Sequence, residues 1–295
     1  GGSGPCAKPD GRYATYFSPT VFSLALDDYV LKNGVTLRFD TYGVCPAMEG
    51  TVCTGILCES ESGREFFKGR MIIDATGTAS VMHRAGVPTV EGRNYFSYIA
   101  HYFTRDMVRH LTDAHELSDL RKWKFIGSDL CGRGQPEDLP LISGTTAEDI
   151  TRFVIRGKRE LFEFVRSQDK RSFDVMALPA MPQLRTIRHI VGETDFCGID
   201  REFAPDSIGC CGDFRAEKVG QQYEIPYGAL YSGKAANMLA AGRIISAPQG
   251  DGWEVSRVIP ICALTGQAAG HAAALAIRDN CVVPQVDINR LQALQ

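Results

Sequence analysis

No stretch of 18 apolar residues occurs in this chain of 295 residues. Its most alanine-rich run, after Pro260, is interrupted by Thr265, Gln267 and His271. A membrane-spanning helix is therefore not expected, and no secretory leader is legible. Among ten cysteines there is no Cys-x-x-Cys, which disfavours zinc ribbons, clusters, thioredoxin-like redox pairs and any cysteine metal site. Cys210 and Cys211 are adjacent and could close only a strained vicinal disulfide. Cys53, Cys58 and Cys262 lie in apolar surroundings, where a thiol acts as a small hydrophobe. The set reads as reduced and cytosolic, hence a cytoplasmic protein. Excess positive charge is lacking too: the net charge is −3, against a nucleic-acid binder with a broad basic surface. There is no nucleophile elbow, P-loop, paired-carboxylate motif, internal repeat or low-complexity tract. Gly1-Gly2-Ser3-Gly4-Pro5 is no dinucleotide fingerprint, because neither a strand before it nor a helix after it is present. It reads as a loop or a fusion remnant.

What is there suits a soluble globular chain with one or two domains: 44% hydrophobic and 23% charged residues. Ser18-Pro19 opens a helix, with Ser18 as N-cap and Pro19 in the first turn. Phe22, Ala25, Leu26, Tyr29 and Val30 keep helical spacing, and Asn33-Gly34 ends it. Strands are expected at Val35–Phe39, Thr51–Cys58 and Glu65–Ile73, with turns at Glu49-Gly50 and Ser60–Gly63. Ile72-Ile73-Asp74 then places Ala75-Thr76-Gly77 at the carboxyl end of a strand, where ligands sit in open α/β folds. An ordinary strand exit is the alternative.

Tyr95–Phe103 reads as another strand, followed by a charged, loop-rich stretch through Pro140 and a helix over about Thr146–Val165. In Arg185–Val191, period-two alternation puts Arg185, Ile187, His189 and Val191 on one face, with Thr186, Arg188 and Ile190 on the other. Arginine grips a carboxylate at two points, but surface pairing with Asp195 or Glu193 explains these arginines equally well. Near the C-terminus, Asn237–Ala241 is a short apolar strand stopped by Gly242. Residues 247–256 form a loop, and Pro260 opens a helix. Its Ala263, Gly266, Ala269, Gly270, Ala273 and Ala274 make a small-residue face for close approach to a sheet or flat ligand. Its N-terminus offers N–H groups and partial positive charge to an anion; a tightly packed helix without a ligand is the alternative.

Three segments in order resemble the FAD-dependent oxidoreductases of the broad glutathione-reductase-like flavoprotein class. They are Ile72–Ala79, Arg185–Glu193, and the C-terminal set Tyr223–Tyr227, Asn237–Ser246 and Arg257–Ala276. The resemblance implies a partial α/β FAD/NAD(P)-binding domain, Rossmann-like and three-layered. Into it would be inserted a mainly antiparallel β plus helix substrate or cap domain. The implied boundaries are 1–90 and 231–295 for the FAD-binding domain and 91–230 for the insertion. FAD is the implied cofactor, held by Val44 or Cys45 at the adenine, by Ala75, Thr76 and Gly77, by Gly242 and Arg243, and by Val258, Ile259, Pro260 and Ile261. The last helix would aim its N–H groups at the flavin N1–C2=O edge, where negative charge grows as the ring accepts a hydride. Arg257 and Arg188 are candidates for holding an anionic group of a small-molecule substrate, with Tyr227 or His189 as proton carriers. The implied activity is hydride transfer between a small organic substrate and flavin. A non-catalytic subunit or remnant is the other reading, its FAD site completed by a partner chain or missing segment that supplies the fingerprint.

Overall fold

A computed structural model describes residues 6–7, 13–14, 17–114, 122–129, 132–248 and 250–295. Gly1 to Pro5 lie outside the described residues. The chain divides into two compact units, one of residues up to Val90 with His189–Gln295, the other of Glu91–Arg188. The chain thus returns to the first unit at 188/189 rather than at the expected 230/231. The reason is the core: Ile190, Phe196, Ile208, Tyr223 and Ile225 are buried in the same cluster as Met238, Leu239 and Ala272.

The first unit opens with a minimal antiparallel pair, β1 (Cys6–Ala7) with β2 (Tyr13–Ala14). In α1 (Pro19–Lys32) the Ser18 hydroxyl accepts the Val21 N–H and Asn33 closes the last turn. None of its residues is buried, so local capping rather than packing defines this helix. Val35–Phe39 is not a strand. Its alternating pattern favours one, but a ladder needs a neighbour, and among the described residues none pairs there. The strand forms later, as β3 (Tyr42–Glu49), antiparallel to β4 (Val52–Ser60), which pairs with β5 (Gly63–Lys68). Then come β6 (Ile72–Asp74), α2 (Ser80–Arg84) and β7 (Thr89–Glu91).

In the second unit, β8 (Ser97–Thr104), α3 (Arg105–Ala114) and β9 (Lys122–Gly127) precede α4 (Ala147–Arg166) and β10 (Phe173–Ala177). The sheet is antiparallel, in the order β10-β8-β9. Both α3 and β9 occupy the stretch expected from sequence to be loop-rich. The charges of α3 sit on its exposed side, while Met107 is buried, so polar composition masked an amphipathic helix. Thr146 caps α4 through the Asp149 N–H at 3.2 Å. Phe153 meets Phe96 edge-on at 5.4 Å. Asn94 joins the loops: its side chain donates to the Ile142, Ser143 and Thr186 carbonyls and accepts from the Arg185 and Thr186 N–H groups.

The return begins with β11 (Arg188–Ile190), shorter than the expected strand. Its two-face alternation is lost, because Thr186, Ile187, His189 and Ile190 are all buried. The hairpin β12 (Ser207–Gly212) and β13 (Gln222–Pro226) follows. Next, β14 (Met238–Ala240) pairs parallel with β6, Met238 facing Ile72 and Ala240 facing Asp74. Where a loop was expected, α5 (Asp251–Ser256) forms. The chain finishes with α6 (Ile259–Asp279) and α7 (Ile288–Gln292). Among the described residues α6 is the one helix long and apolar enough to cross a membrane, despite its polar interruptions. It buries Ile261, Thr265, Ala268, Ala269, Ala272, Ala273, Leu275 and Ala276 in the first unit, as a core helix does. The described parallel sheet has two strands, so a three-layered arrangement is not seen among these residues.

Candidate functional site

The strand-end motif is built around Asp74, which is 2% exposed. Its Oδ1 accepts the Thr76 N–H at 3.0 Å and the Thr76 hydroxyl at 2.7 Å. Its Oδ2 accepts the Val81 and Met82 N–H groups at 3.0 and 2.9 Å. The position preceding α2 is Ala79, which has no side chain to cap it, and Asp74 supplies the cap from the end of β6. One carboxylate thereby fixes both the turn and the helix after it. Ala75 and Thr76 are exposed at the carboxyl end of β6, and Gly77 has φ +71°.

Gly77 meets Arg243. The guanidinium Nε donates to the Gly77 carbonyl at 2.7 Å, and a Cβ on Gly77 would approach Arg243 Nε to 3.0 Å. Burial, the largest influence, lowers the Arg243 pKa, since the charge has lost much of its water. Gly242 turns the chain after β14 with φ +75°. Its N–H is not left for a ligand: it donates to Thr265 Oγ1 at 2.9 Å, while that hydroxyl donates to the Ile261 carbonyl at 2.8 Å. Gly242 therefore serves through its backbone shape.

At the start of α6 the N-cap residue Val258 makes no side-chain cap. Pro260 has no N–H, and the Ile261 and Cys262 N–H groups both reach the Val258 carbonyl. Among the described residues the Ile259 N–H has no acceptor. Of the several N–H groups expected from Val258 to Ile261, this one is open. The small-residue face divides in two: Ala269 and Ala273 are buried, whereas a Cβ on Gly266 or Gly270 would meet nothing within 4 Å. Ala269 and Ala273, not the glycines, give the close packing, whereas Ala263 and Ala274 are exposed.

Val44 and Cys45 lie inside β3. Gly43 faces Cys58 and Cys45 faces Leu57, so a bulge leaves Val44 outside the ladder. Its backbone is thereby exempt from strand pairing. Tyr227 is no candidate proton carrier: it is 2% exposed, and its hydroxyl donates to the Val283 carbonyl at 3.0 Å. Burial drives its pKa upward. His189 is 4% exposed and its Nδ1 lies 2.7 Å from the Ile190 carbonyl. Burial lowers its pKa, outweighing the Ile190 carbonyl and Asp195, and the ring packs edge-on to Trp253 at 4.5 Å. Arg257 is paired with Glu254. Arg188 falls in the second unit and pairs with Glu91 at 3.4 Å; its Nε is buried without a hydrogen bond.

Three residues that shape this region, Asp74, Trp253 and Thr265, have no role legible in the sequence. Aspartate followed within eight residues by a helix is a weak local signal, because a cap supplied from a preceding strand has no fixed spacing. Among the described residues no group of three His, Cys, Asp or Glu is placed to hold a metal ion. A cavity of about 20 Å³ among Phe96, Leu139, Ile142 and Phe153 has room for water rather than an organic substrate. It belongs to the second unit, and none of the expected site residues lines it.

Two solved structures match this chain at low similarity. CabE, an aromatic hydroxylase from angucycline biosynthesis, is 12% identical with a TM-score of 0.41, over 98% of this chain and 55% of that one. The myxobacterial chondrochloren halogenase CndH, a variant of FAD-dependent halogenases, is 12% identical with a TM-score of 0.38, over 95% of this chain and 55% of that one. This chain thus spans about half the length of each. No match to a curated protein was found. The sequence model of the FAD dependent oxidoreductases matches residues 3–202 and 174–294, nearly the whole chain. The chain belongs to the FAD dependent oxidoreductase family, whose cofactor is FAD.

Proposed function

We propose that this chain is part of a flavoenzyme moving a hydride between a small organic substrate and FAD, within the glutathione-reductase-like class and in the cytoplasm. The observation that carries the reading is the family match together with the β6 turn, which fits a dinucleotide. Thr76 and Gly77 stand at an open strand end, and a cation packs directly behind Gly77. When bound, FAD supplies the hydride chemistry. The protein's share is placement. Asp74 keeps the Ala75-Thr76-Gly77 backbone in one conformation, and Gly77 and Gly242 adopt left-handed turns that side chains resist. Arg243 sets positive charge beside a diphosphate, and the α6 N-terminus, with the Ile259 N–H, favours negative charge. The bulge at Val44 leaves main-chain groups for adenine. Arg257 is the candidate for an anionic substrate group in the first unit, and the second unit is the candidate substrate domain. Eight described cysteines are free thiols, which suits a reducing compartment.

A second reading is a binding module that needs another segment or chain to complete its FAD site. It is favoured by one observation: among the described residues no Gly-x-Gly-x-x-Gly turn joins a strand to a helix. Adding FAD to the purified chain and reading visible flavin absorbance after gel filtration tests the first reading. Uptake of one FAD per chain, bleached by a reductant, is expected. A colourless protein after saturation would overturn it as stated.

A further inference from the structure

Six residues long, α5 is too short to be held by its own hydrogen bonds. It is anchored at three points, all within the first unit. In its first turn Asp251 receives Arg215 Nη1 at 2.7 Å and Lys218 Nζ at 3.1 Å. Arg215 also forks onto Asp213, Nε to Oδ1 at 2.9 Å and Nη2 to Oδ2 at 2.5 Å. The Asp213 side chain is 0% exposed and accepts the Tyr223 hydroxyl at 2.7 Å, so this end of α5 is tied to β12–β13 by shielded charge. In the middle, Gly252 rides on the Phe196 backbone, where a Cβ would come within 1.9 Å of the carbonyl oxygen.

The third anchor leads to the candidate site. Trp253 is 1% exposed, its ring lies against His189, and its indole N–H donates to the Arg243 carbonyl at 2.9 Å. Arg243 in turn donates from Nε to the Gly77 carbonyl. A buried indole N–H must find an acceptor, and here that acceptor is the backbone of the residue that grips Gly77. Side-chain contacts run from Asp213 through Arg215 to Asp251, the α5 backbone carries Asp251 to Trp253, and contacts resume through Arg243 to Gly77. Resting on the FAD reading above, we propose that Trp253 is a positioning residue for the dinucleotide turn. Its indole N–H sets the Arg243 backbone, Arg243 sets Gly77, and the Asp251–Arg215 pair locks the helix that carries the indole.

The test is FAD titration of the full chain, followed by quenching of flavin fluorescence, with thermal unfolding measured in parallel. Trp253→Phe keeps an aromatic ring but removes the indole N–H and part of the buried volume; its dissociation constant for FAD should rise about tenfold, with some fall in Tm. Asp251→Asn, which touches neither Arg243 nor Gly77, should weaken FAD binding in the same direction. Asp251→Glu should restore much of the affinity, and the double variant should fall short of the product of the two single effects. Trp123, in the second unit and 57% exposed, provides the control: Trp123→Phe should bind FAD as wild type does and leave Trp253 as the sole reporter, quenched on binding. Should Trp253→Phe fail to fold, the Asp251 pair of variants decides. Wild-type affinity in both Trp253→Phe and Asp251→Asn, or a lowered Tm with unchanged affinity, overturns the positioning role while the FAD reading stands. A wild-type chain that takes up no FAD overturns both.

Discussion

Asp74 holds four donors at once, two from its own turn and two from the first turn of α2. Asp74→Ala should therefore cost about 2 to 4 kcal/mol, a lost cap plus buried N–H groups left unmatched. Asp74→Asn, which keeps one acceptor oxygen, should cost less. Urea unfolding measures both, and flavin absorbance should fall in the same order; equal stability of Asp74→Ala and wild type would refute the role. Gly77 has a different constraint. Its φ is +71°, and a Cβ there would sit 3.0 Å from the Arg243 guanidinium. No side chain is comfortable in that place, so Gly77→Val should unfold the turn rather than merely obstruct a ligand.

At the scale of elements, the same substitution should have opposite signs in two helices. Gly266 in α6 faces open space, with nothing within 4 Å of a Cβ. Gly266→Ala should raise stability by up to about 1 kcal/mol, the helix-propensity difference. Gly157 in α4 lies against the Tyr98 ring, and a Cβ would sit 2.4 Å from Cδ2. Tyr98 is 2% exposed and enclosed, so Gly157→Ala should lose about 1 to 3 kcal/mol to overpacking, more than propensity returns. Calorimetric Tm values for the two variants check the contrast, and shifts of the same sign would show that local propensity alone governs both. Elements also differ in what made them legible. The caps of α1 and α4 are single residues beside the helix they start, Ser18 and Thr146. By contrast, α5 is set by Asp251 reaching Arg215 and by Trp253 packing on His189, partners far along the chain.

For the whole molecule, acid sensitivity should centre on the ionic anchor of α5. Burial alone would raise the Asp213 pKa. Hydrogen bonds from the Arg215 side chain and backbone and from the Tyr223 hydroxyl, aided by the Arg215 charge, bring it instead to about 2. An unfolded aspartate titrates near about 3.9. The folded value is the depressed one, so the stabilisation is fully present above the unfolded pKa and is lost as pH falls through about 2. Asp251 shifts the same way, through Arg215 and Lys218. The Tm difference between wild type and Asp213→Asn should stay level from neutral pH to about 4 and narrow below it. A difference that widened on acidification would contradict this sign.

By itself the sequence disclosed the family and whatever depends on near neighbours: the capped helices, the meander turns at Gly50 and Gly63, the strand ending in Asp74, and the helix opening at Pro260. These rest on backbone preferences and single-residue caps, which act over a few positions. Long-range pairing decided the rest. Val35–Phe39 has strand chemistry but no described partner, whereas Tyr42–Glu49 has β4 beside it. His189, Tyr227 and the Gly242 N–H carry reactive groups on paper. Burial and the Ile190, Val283 and Thr265 oxygens claim them, because a buried polar group must find a partner wherever the fold supplies one.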